Sequence, residues 1–144
     1  MTTGATLPLR VRDHMTRALV TVAPETEITQ VIHLLIEHDI SGVLVVDGDG
    51  RLVGIVTERD CIAIAADAGY FDEWGGPARD FMSTDLETVD ADSSLVDLAV
   101  RMKDSRFRRF PVLDEGALVG VISRRDVLQA LRSGAWFKGS EGST

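Results

Sequence analysis

The sequence predicts an α+β (α/β) fold built from two β-α-β-β-α repeats packed with pseudo-two-fold symmetry. Three observations predict it. The first is internal repetition. Adding 67 carries Asp13 to Asp80, Met15 to Met82, Thr21 to Thr88 and Asp47 to Asp114; after a one-residue deletion, adding 66 carries Leu52 to Leu118, Gly54 to Gly120, Thr57 to Ser123 and Asp60 to Asp126. The second is apolar residues at helical spacing in each copy. The third is a pair of β-rich apolar runs, split by an Asp/Gly turn, following each of those helical stretches. A repeat of this length is a supersecondary unit that does not bury its apolar face alone. Two copies imply a pair with clefts at its seam.

Each element follows from local chemistry. A helical turn at Val11–Met15, and again at Ala78–Met82, leads into a short strand at Leu19–Val22 and at Leu86–Val89. Pro24–Glu27 and Asp90–Ser93 are turn sequences, with Thr26 and Ser93 read as helix N-caps. Ile28, Val31, Ile32 and Leu35 then fall at i, i+3, i+4 and i+7, as do Leu95, Leu98, Ala99 and Met102, so each helix buries one stripe. Leu35 and Met102 are expected as equivalent core positions. Next come Gly42–Val46 with Leu52–Val56, and Phe110–Leu113 with Leu118–Ile122; Asp47-Gly48-Asp49-Gly50 and Asp114-Glu115-Gly116 read as their hairpin turns. These runs are apolar on both faces of the pleat and read as buried on both sides. A second helix closes each unit, over Thr57–Ala66 and Ser123–Leu131. The organisation is therefore repeat 1 over 10–66, a linker over 67–77, repeat 2 over 78–132 and a tail over 133–144 that frays after Trp136-Phe137 and ends in GSEGST; Trp74 reads as a packing anchor in the linker.

With 144 residues, 26% charged and 44% hydrophobic, the composition is that of an ordinary soluble globular protein. A net charge of −8 argues against a general nucleic-acid binder. The charge is uneven: residues 101–132 hold eight Arg/Lys against four Asp/Glu, a local +4 that leaves −12 elsewhere. Such a focus suits a small anion better than a polyanion; the alternative is a solvated arginine-rich face. Cys61 stands alone, which excludes an intrachain disulfide and fits a cytoplasmic protein. No apolar run reaches the ~20 residues needed to span a bilayer, and the opening MTTGATLPLR lacks a signal-peptide core.

The sharpest motif is [ST]-x-x-D, at Thr57-Glu58-Arg59-Asp60 and Ser123-Arg124-Arg125-Asp126, following a strand and opening a helix. It reads in two ways. It is a capping box, or it is a ligand-binding helix start, where backbone N–H groups beside arginines favour phosphate and the acid accepts from ribose hydroxyls. The second motif is Phe107-Arg108-Arg109-Phe110-Pro111-Val112-Leu113-Asp114. Arginine forks hold phosphate oxygens, and Phe107 and Phe110 either line an adenine slot or belong to the core. The first repeat has Ile40-Ser41-Gly42-Val43-Leu44 there, without either arginine. His33 and His38 are five residues apart and do not share a helix face as a metal pair would; with His14 they read as surface or partner-facing, and no metal site is expected. Cys61 reads as a packed thiol, although a helix N-terminus lowers a thiol pKa. The chain has no nucleophile–base–orienter set, P-loop or Gly-rich dinucleotide turn, so no catalytic residue is assigned.

Over residues 10–132 the chain resembles a tandem pair of cystathionine-β-synthase (CBS) domains, the Bateman module. The matching marks are Asp13–Met15 and Asp80–Met82 as D-x-M, the apolar strand ending in Asp, and L-V-G-[IV]-[IV]-[ST]-x-R-D. The resemblance implies two clefts that bind adenosine-containing ligands. Asp60 and Asp126 would meet the ribose, with Thr57 and Ser123 beside them. Arg108, Arg109 and Arg125 would meet phosphates. Ile40, Val43, Phe107, Phe110 and Pro111 would line the adenine slot. Because the first repeat departs from the pattern at Ser41, Gly42 and Leu44, the two clefts are expected to differ.

The expected function is a stand-alone regulatory module without catalysis. It would need no resident cofactor. It would bind AMP, ATP or another adenine nucleotide, or an S-adenosylmethionine-type ligand, and signal to an effector protein. A homodimer through helix faces is expected, and no nucleic-acid or membrane partner. One rival is a constitutive scaffold with empty clefts. The other is an enzyme using Asp60 or Asp126 as general base, against which a helix N-terminus beside arginine keeps such acids ionised.

Overall fold

The structure, a computed structural model, describes residues 9–68 and 75–134. The expectations placed on Trp74, on Trp136-Phe137 and on the terminal GSEGST lie outside the described residues. Each half has the anticipated order. A 3₁₀ turn at Val11–Asp13 precedes β1 (Thr21–Val22), α1 (Ile28–Glu37), β2 (Gly42–Val46), β3 (Leu52–Thr57) and α2 (Glu58–Ala68). A second 3₁₀ turn at Ala78–Asp80 precedes β4 (Val89–Asp90), α3 (Leu95–Asp104), β5 (Arg109–Asp114), β6 (Ala117–Ser123) and α4 (Arg124–Ser133). The strands make two three-stranded sheets, β1-β2-β3 and β4-β5-β6. In each, the first strand runs parallel to the second and the second antiparallel to the third, with a register shift between Val45 and Val46 and between Val112 and Leu113.

The hairpin turns follow from their residues. Glu115 and Gly116 both have positive φ (51° and 85°), as a two-residue type I′ connection requires, and they join the paired Asp114 and Ala117. In the longer first turn, Asp47 Oδ1 accepts from the backbone N–H of Asp49 (2.9 Å) and Arg51 (3.0 Å), the Asx geometry that aspartate favours.

Two local expectations are corrected. The opening strands are only two residues long, because pairing with the neighbouring strand begins at Thr21↔Leu44 and Val89↔Val112; Leu19–Val20 and Leu86–Thr88 have no ladder partner. The caps also move. Ser94, not Ser93, caps α3 by accepting from Asp97 N–H at 3.3 Å. Thr26 is not the cap of α1: its hydroxyl accepts from Ala23 N–H, and the flanking Glu27 turns its carboxylate to Gly76 N–H at 2.8 Å. The helix phase is set by burial of Ile28 and Leu95, and the cap falls wherever that phase leaves it.

The chain forms two compact units that do not coincide with its sequence repeats. One comprises Met1–Leu19 with Glu87–Thr144, the other Val20–Leu86. Each unit has its own core. In the first, Val11, Leu95, Leu98, Met102, Phe110, Val112 and Ile122 are buried together; in the second, Ile28, Val31, Leu35, Val43, Val45, Val56 and Ala78 are. Leu35 and Met102, each 6% exposed, occupy equivalent places in the two cores. Burying a side chain such as Ile28 or Leu95 is worth about 1.5–3 kcal/mol.

In both units the segment after the 3₁₀ turn lies across the last strand. Thr16 and Val121 exchange backbone hydrogen bonds (2.8 and 3.0 Å), and Ser83 and Ile55 do the same (2.8 and 3.0 Å). A glycine makes room beneath each crossing. A Cβ on Gly120 would lie 2.7 Å from Met15 Sδ and 2.9 Å from the Thr16 carbonyl; on Gly54 it would lie 2.5 Å from Met82 Sδ and 3.0 Å from the Ser83 carbonyl. In the first unit Arg12 adds a clasp. Its guanidinium donates to Asp92 (2.8 Å) and Asp114 (3.3 Å), which raises its own pKa and holds the Asp92 carboxyl below the ordinary range.

Gly120→Ala is expected to lower the unfolding free energy by about 1–3 kcal/mol, the cost of overpacking against backbone. Gly48→Ala, with nothing within 4 Å of the new Cβ, is expected to change it by less than about 0.5 kcal/mol. Urea unfolding of the two variants beside the parent checks this. Equal midpoints for Gly120→Ala and parent would remove the close approach as a constraint.

Candidate functional site

Both [ST]-x-x-D motifs stand where a strand hands over to a helix, β3 to α2 and β6 to α4. In the first, Thr57 N–H donates to Asp60 Oδ2 (2.8 Å), the Thr57 hydroxyl donates to the same oxygen (3.0 Å), and Asp60 N–H donates to Thr57 Oγ1 (3.1 Å). In the second the corresponding distances are 2.8, 3.1 and 3.2 Å for Ser123 and Asp126. The capping box is therefore real in both copies, and it uses Oδ2 alone. The other oxygen distinguishes the copies. Asp60 Oδ1 accepts from the Ser83 hydroxyl at 3.2 Å. Asp126 Oδ1 has no hydrogen-bond donor among the described residues.

Strand pairing brings the arginine motif to the same spot. Arg109 is the cross-strand partner of Ser123, and Arg124 N–H donates to the Arg108 carbonyl at 3.0 Å. The equivalent positions in the other unit are Gly42 opposite Thr57, with Glu58 N–H donating to the Ser41 carbonyl at 2.9 Å. Arg108, Arg109 and Arg125 are exposed, and among the described residues none of the three has an acidic partner. Arg124 spends its guanidinium on the Ser105 carbonyl at 3.0 Å.

The residues assigned to an adenine slot divide. Val43 and Phe110 are 0% exposed and belong to the two cores. Each is the second residue of its strand, β2 or β5, and its side chain faces the core of its own unit. Pro111 is also buried, paired with Val121. Ile40 and Phe107 are half-buried at the edges of their cores and keep surface available.

Cys61 follows Asp60 on α2 and is half-buried. Burial first, then the charges of Asp60 and Glu58, push its thiol pKa up. The lowering that a helix N-terminus exerts on a thiol is thus outweighed by burial, with the acids of that first turn adding to it, and the thiolate is disfavoured. His33 is exposed and pairs with Glu37 at 3.0 Å. Among the described residues no three His, Cys, Asp or Glu side chains converge on a metal position, and no described helix is long and apolar enough to cross a membrane.

Sequence reasoning did not single out Ser83. The signal was present, since D-x-M continues as Thr16 in one copy and Ser83 in the other, both positions being bridged to a hairpin strand.

The family model of the CBS domain matches residues 11–67 and again 78–133. The CBS domain-containing protein YhcV of Bacillus subtilis is 33% identical over 117 residues, covering 81% of each chain. The structure of CBSX2 in complex with AMP superposes with a TM-score of 0.76 at 30% identity, over 86% of this chain and 96% of that one. The CBS domain pair of MJ0100 in complex with 5′-methylthioadenosine and S-adenosyl-L-methionine gives 0.67 at 25% identity, over 86% and 96%. The chain spans between 43% and 73% of the length of three further relatives, from Acidianus ambivalens, Methanopyrus kandleri and Methanocaldococcus jannaschii.

Because each hydroxyl caps its helix whatever else it does, Ser123→Ala is expected to cost about 1 kcal/mol of stability. Denaturant unfolding without any added ligand checks this. A loss below about 0.3 kcal/mol would mean that the box contributes little to the fold.

Proposed function

Since the chain belongs to the CBS-domain family and carries two copies of the domain, we propose that it is a regulatory module binding an adenine nucleotide or other adenosyl ligand, without chemistry of its own. The observation that carries this reading is the convergence in the first unit. Two exposed arginines without acidic partners flank a capped helix N-terminus, and the first-turn acid there keeps one oxygen unused. Backbone N–H groups at a helix start attract phosphate, and arginine forks bind it bidentately. A carboxylate that only accepts hydrogen bonds suits ribose hydroxyls. The AMP bound to CBSX2 and the two adenosyl ligands bound to MJ0100 support the same ligand class.

In this reading Asp126 and Asp60 meet the sugar, with Ser123 and Thr57 holding them in position. Arg108, Arg109 and Arg125 meet the phosphates, and Phe107 and Ile40 supply apolar edges for the base. The second unit lacks counterparts of Arg108 and Arg109, which makes the first the stronger site for a phosphorylated ligand. Ligand occupancy is read by an effector protein.

The module also self-associates. Ile62 on α2 and Leu128 on α4 are equivalent positions in the two repeats, and they are 69% and 63% exposed. A large apolar side chain uncovered at the same repeat position twice, on amphipathic helices, fits a second copy of the chain.

Three measurements test these readings. In calorimetry with ATP and AMP, Asp126→Ala and Arg108→Ala are expected to weaken binding by about tenfold or more, as loss of hydrogen bonds to charged groups implies, and Asp60→Ala by less. Arg108→Ala should leave adenosine nearly unaffected. If a panel of AMP, ATP and S-adenosylmethionine leaves the thermal midpoint of the parent unchanged, the scaffold reading takes over. In sedimentation at micromolar concentration the parent is expected to be dimeric and the Ile62→Glu, Leu128→Glu double variant monomeric. A monomeric parent would remove self-association.

A further inference from the structure

We infer that Ser83 is a specificity-determining residue that occupies the sugar-binding carboxylate of the second unit with its own hydroxyl, lowering that site's affinity for an adenosyl ligand. The inference rests on the assignment of Asp60 as a ribose acceptor and adds to it a resident competitor.

The geometry is local to one unit. Ser83 is fixed by its backbone: its N–H donates to the Ile55 carbonyl (2.8 Å) and its carbonyl accepts from Ile55 N–H (3.0 Å). Gly54 permits this crossing, since a Cβ there would meet the Ser83 carbonyl at 3.0 Å. So held, the Ser83 hydroxyl lies 3.2 Å from Asp60 Oδ1 and 3.5 Å from Oδ2. Oδ2 already accepts from Thr57 twice. Oδ1 is the oxygen left for a ligand, and Ser83 takes one of its two acceptor positions with an O–H donor, the same group a ribose would present.

The equivalent residue in the other unit is Thr16. Its backbone makes the same bridge, to Val121 at 2.8 and 3.0 Å, but its side chain is exposed and makes no hydrogen bond to Asp126 among the described residues. Two sites with the same cap thus differ in their available acceptor. Both acceptor positions of Oδ1 are open at Asp126, whereas at Asp60 a serine already holds one of them and competes with any ligand hydroxyl. Both groups are partly buried, so a displaced hydroxyl has to find water or a ligand atom instead. Together with the arginine difference, this gives the chain one ready site and one restrained site. Ligand concentration then fills them in order.

The test isolates the second site. In an Asp126→Ala background, AMP titration by calorimetry is expected to give about tenfold tighter binding when Ser83→Ala is added, the effect of removing a competing hydrogen bond to a charged group. Ser83→Cys, which keeps the volume but donates weakly, is expected to give an intermediate gain and guards against a packing artefact of the alanine. Thermal unfolding of each variant confirms that it is folded. Unchanged or weaker AMP binding in both Ser83 variants would overturn the inference and leave the nucleotide reading standing. Absence of AMP, ATP and S-adenosylmethionine binding in the parent and in Ser83→Ala alike would overturn the nucleotide reading and, with it, the role given to Ser83.

Discussion

Everything else in each unit is arranged around the crossing of an incoming segment over the last strand of the sheet. Met15-Thr16 lies on Gly120, and Met82-Ser83 lies on Gly54. The approach brings a carbonyl oxygen so near that only hydrogen fits on the strand beneath it. The crossing completes the core, because Val11 and Ala78 on the preceding turns are fully buried within the unit that receives them. It also ties together sequence that is far apart: Val11 N–H bonds to the Ser93 carbonyl, Leu95 N–H to Leu9, and Ile28 N–H to Gly76. Contacts of such long sequence separation close large loops before they return any stabilisation.

The two crossings are not reinforced in the same way. Arg12 clasps Asp92 and Asp114 in the first unit, whereas Arg79 at the equivalent position makes no ion pair among the described residues and contributes its backbone N–H to the Pro24 carbonyl. Its counterpart acid, Asp47, is already committed to the backbone of its own hairpin turn. The exposed setting of the Arg12 cluster keeps its contribution modest. Its value lies in holding one geometry, two acids and one planar guanidinium, at the point where the opening segment meets the sheet.

The capping box illustrates how a structural device and a binding device share atoms. The box uses the hydroxyl, two backbone N–H groups and a single carboxylate oxygen, so the helix is capped with one acceptor to spare. That spare oxygen sits at the positive end of a helix, beside the carbonyl-anchored strand start that carries Arg108 and Arg109 in the first unit and Ser41 and Gly42 in the second. The fold supplies the same scaffold twice, and the side chains at the strand start and on the crossing segment make the two copies chemically unequal.

Much of this was legible in the sequence. Offset identity exposed the repeat, and apolar spacing placed Ile28, Val31 and Leu35 with Leu95, Leu98 and Met102 on buried stripes. Asp and Gly marked the hairpins, and [ST]-x-x-D marked the two helix starts. These signals are local, governed by backbone geometry and period, and a linear pattern records them. The sequence could not divide Phe107 from Phe110, because both are apolar and only packing decides which one reaches the core. It could not set the opening strands at two residues, nor give Ser94 the cap in place of Ser93, because the register of the sheet and the phase of the buried stripe determine both. It could not show that the 3₁₀ turns at Val11 and Ala78 complete the opposite repeat's core, nor that Ser83 reaches Asp60 while Thr16 leaves Asp126 alone. Those facts arise where segments distant in the chain meet, and a contact across such a distance leaves no period in the sequence to read.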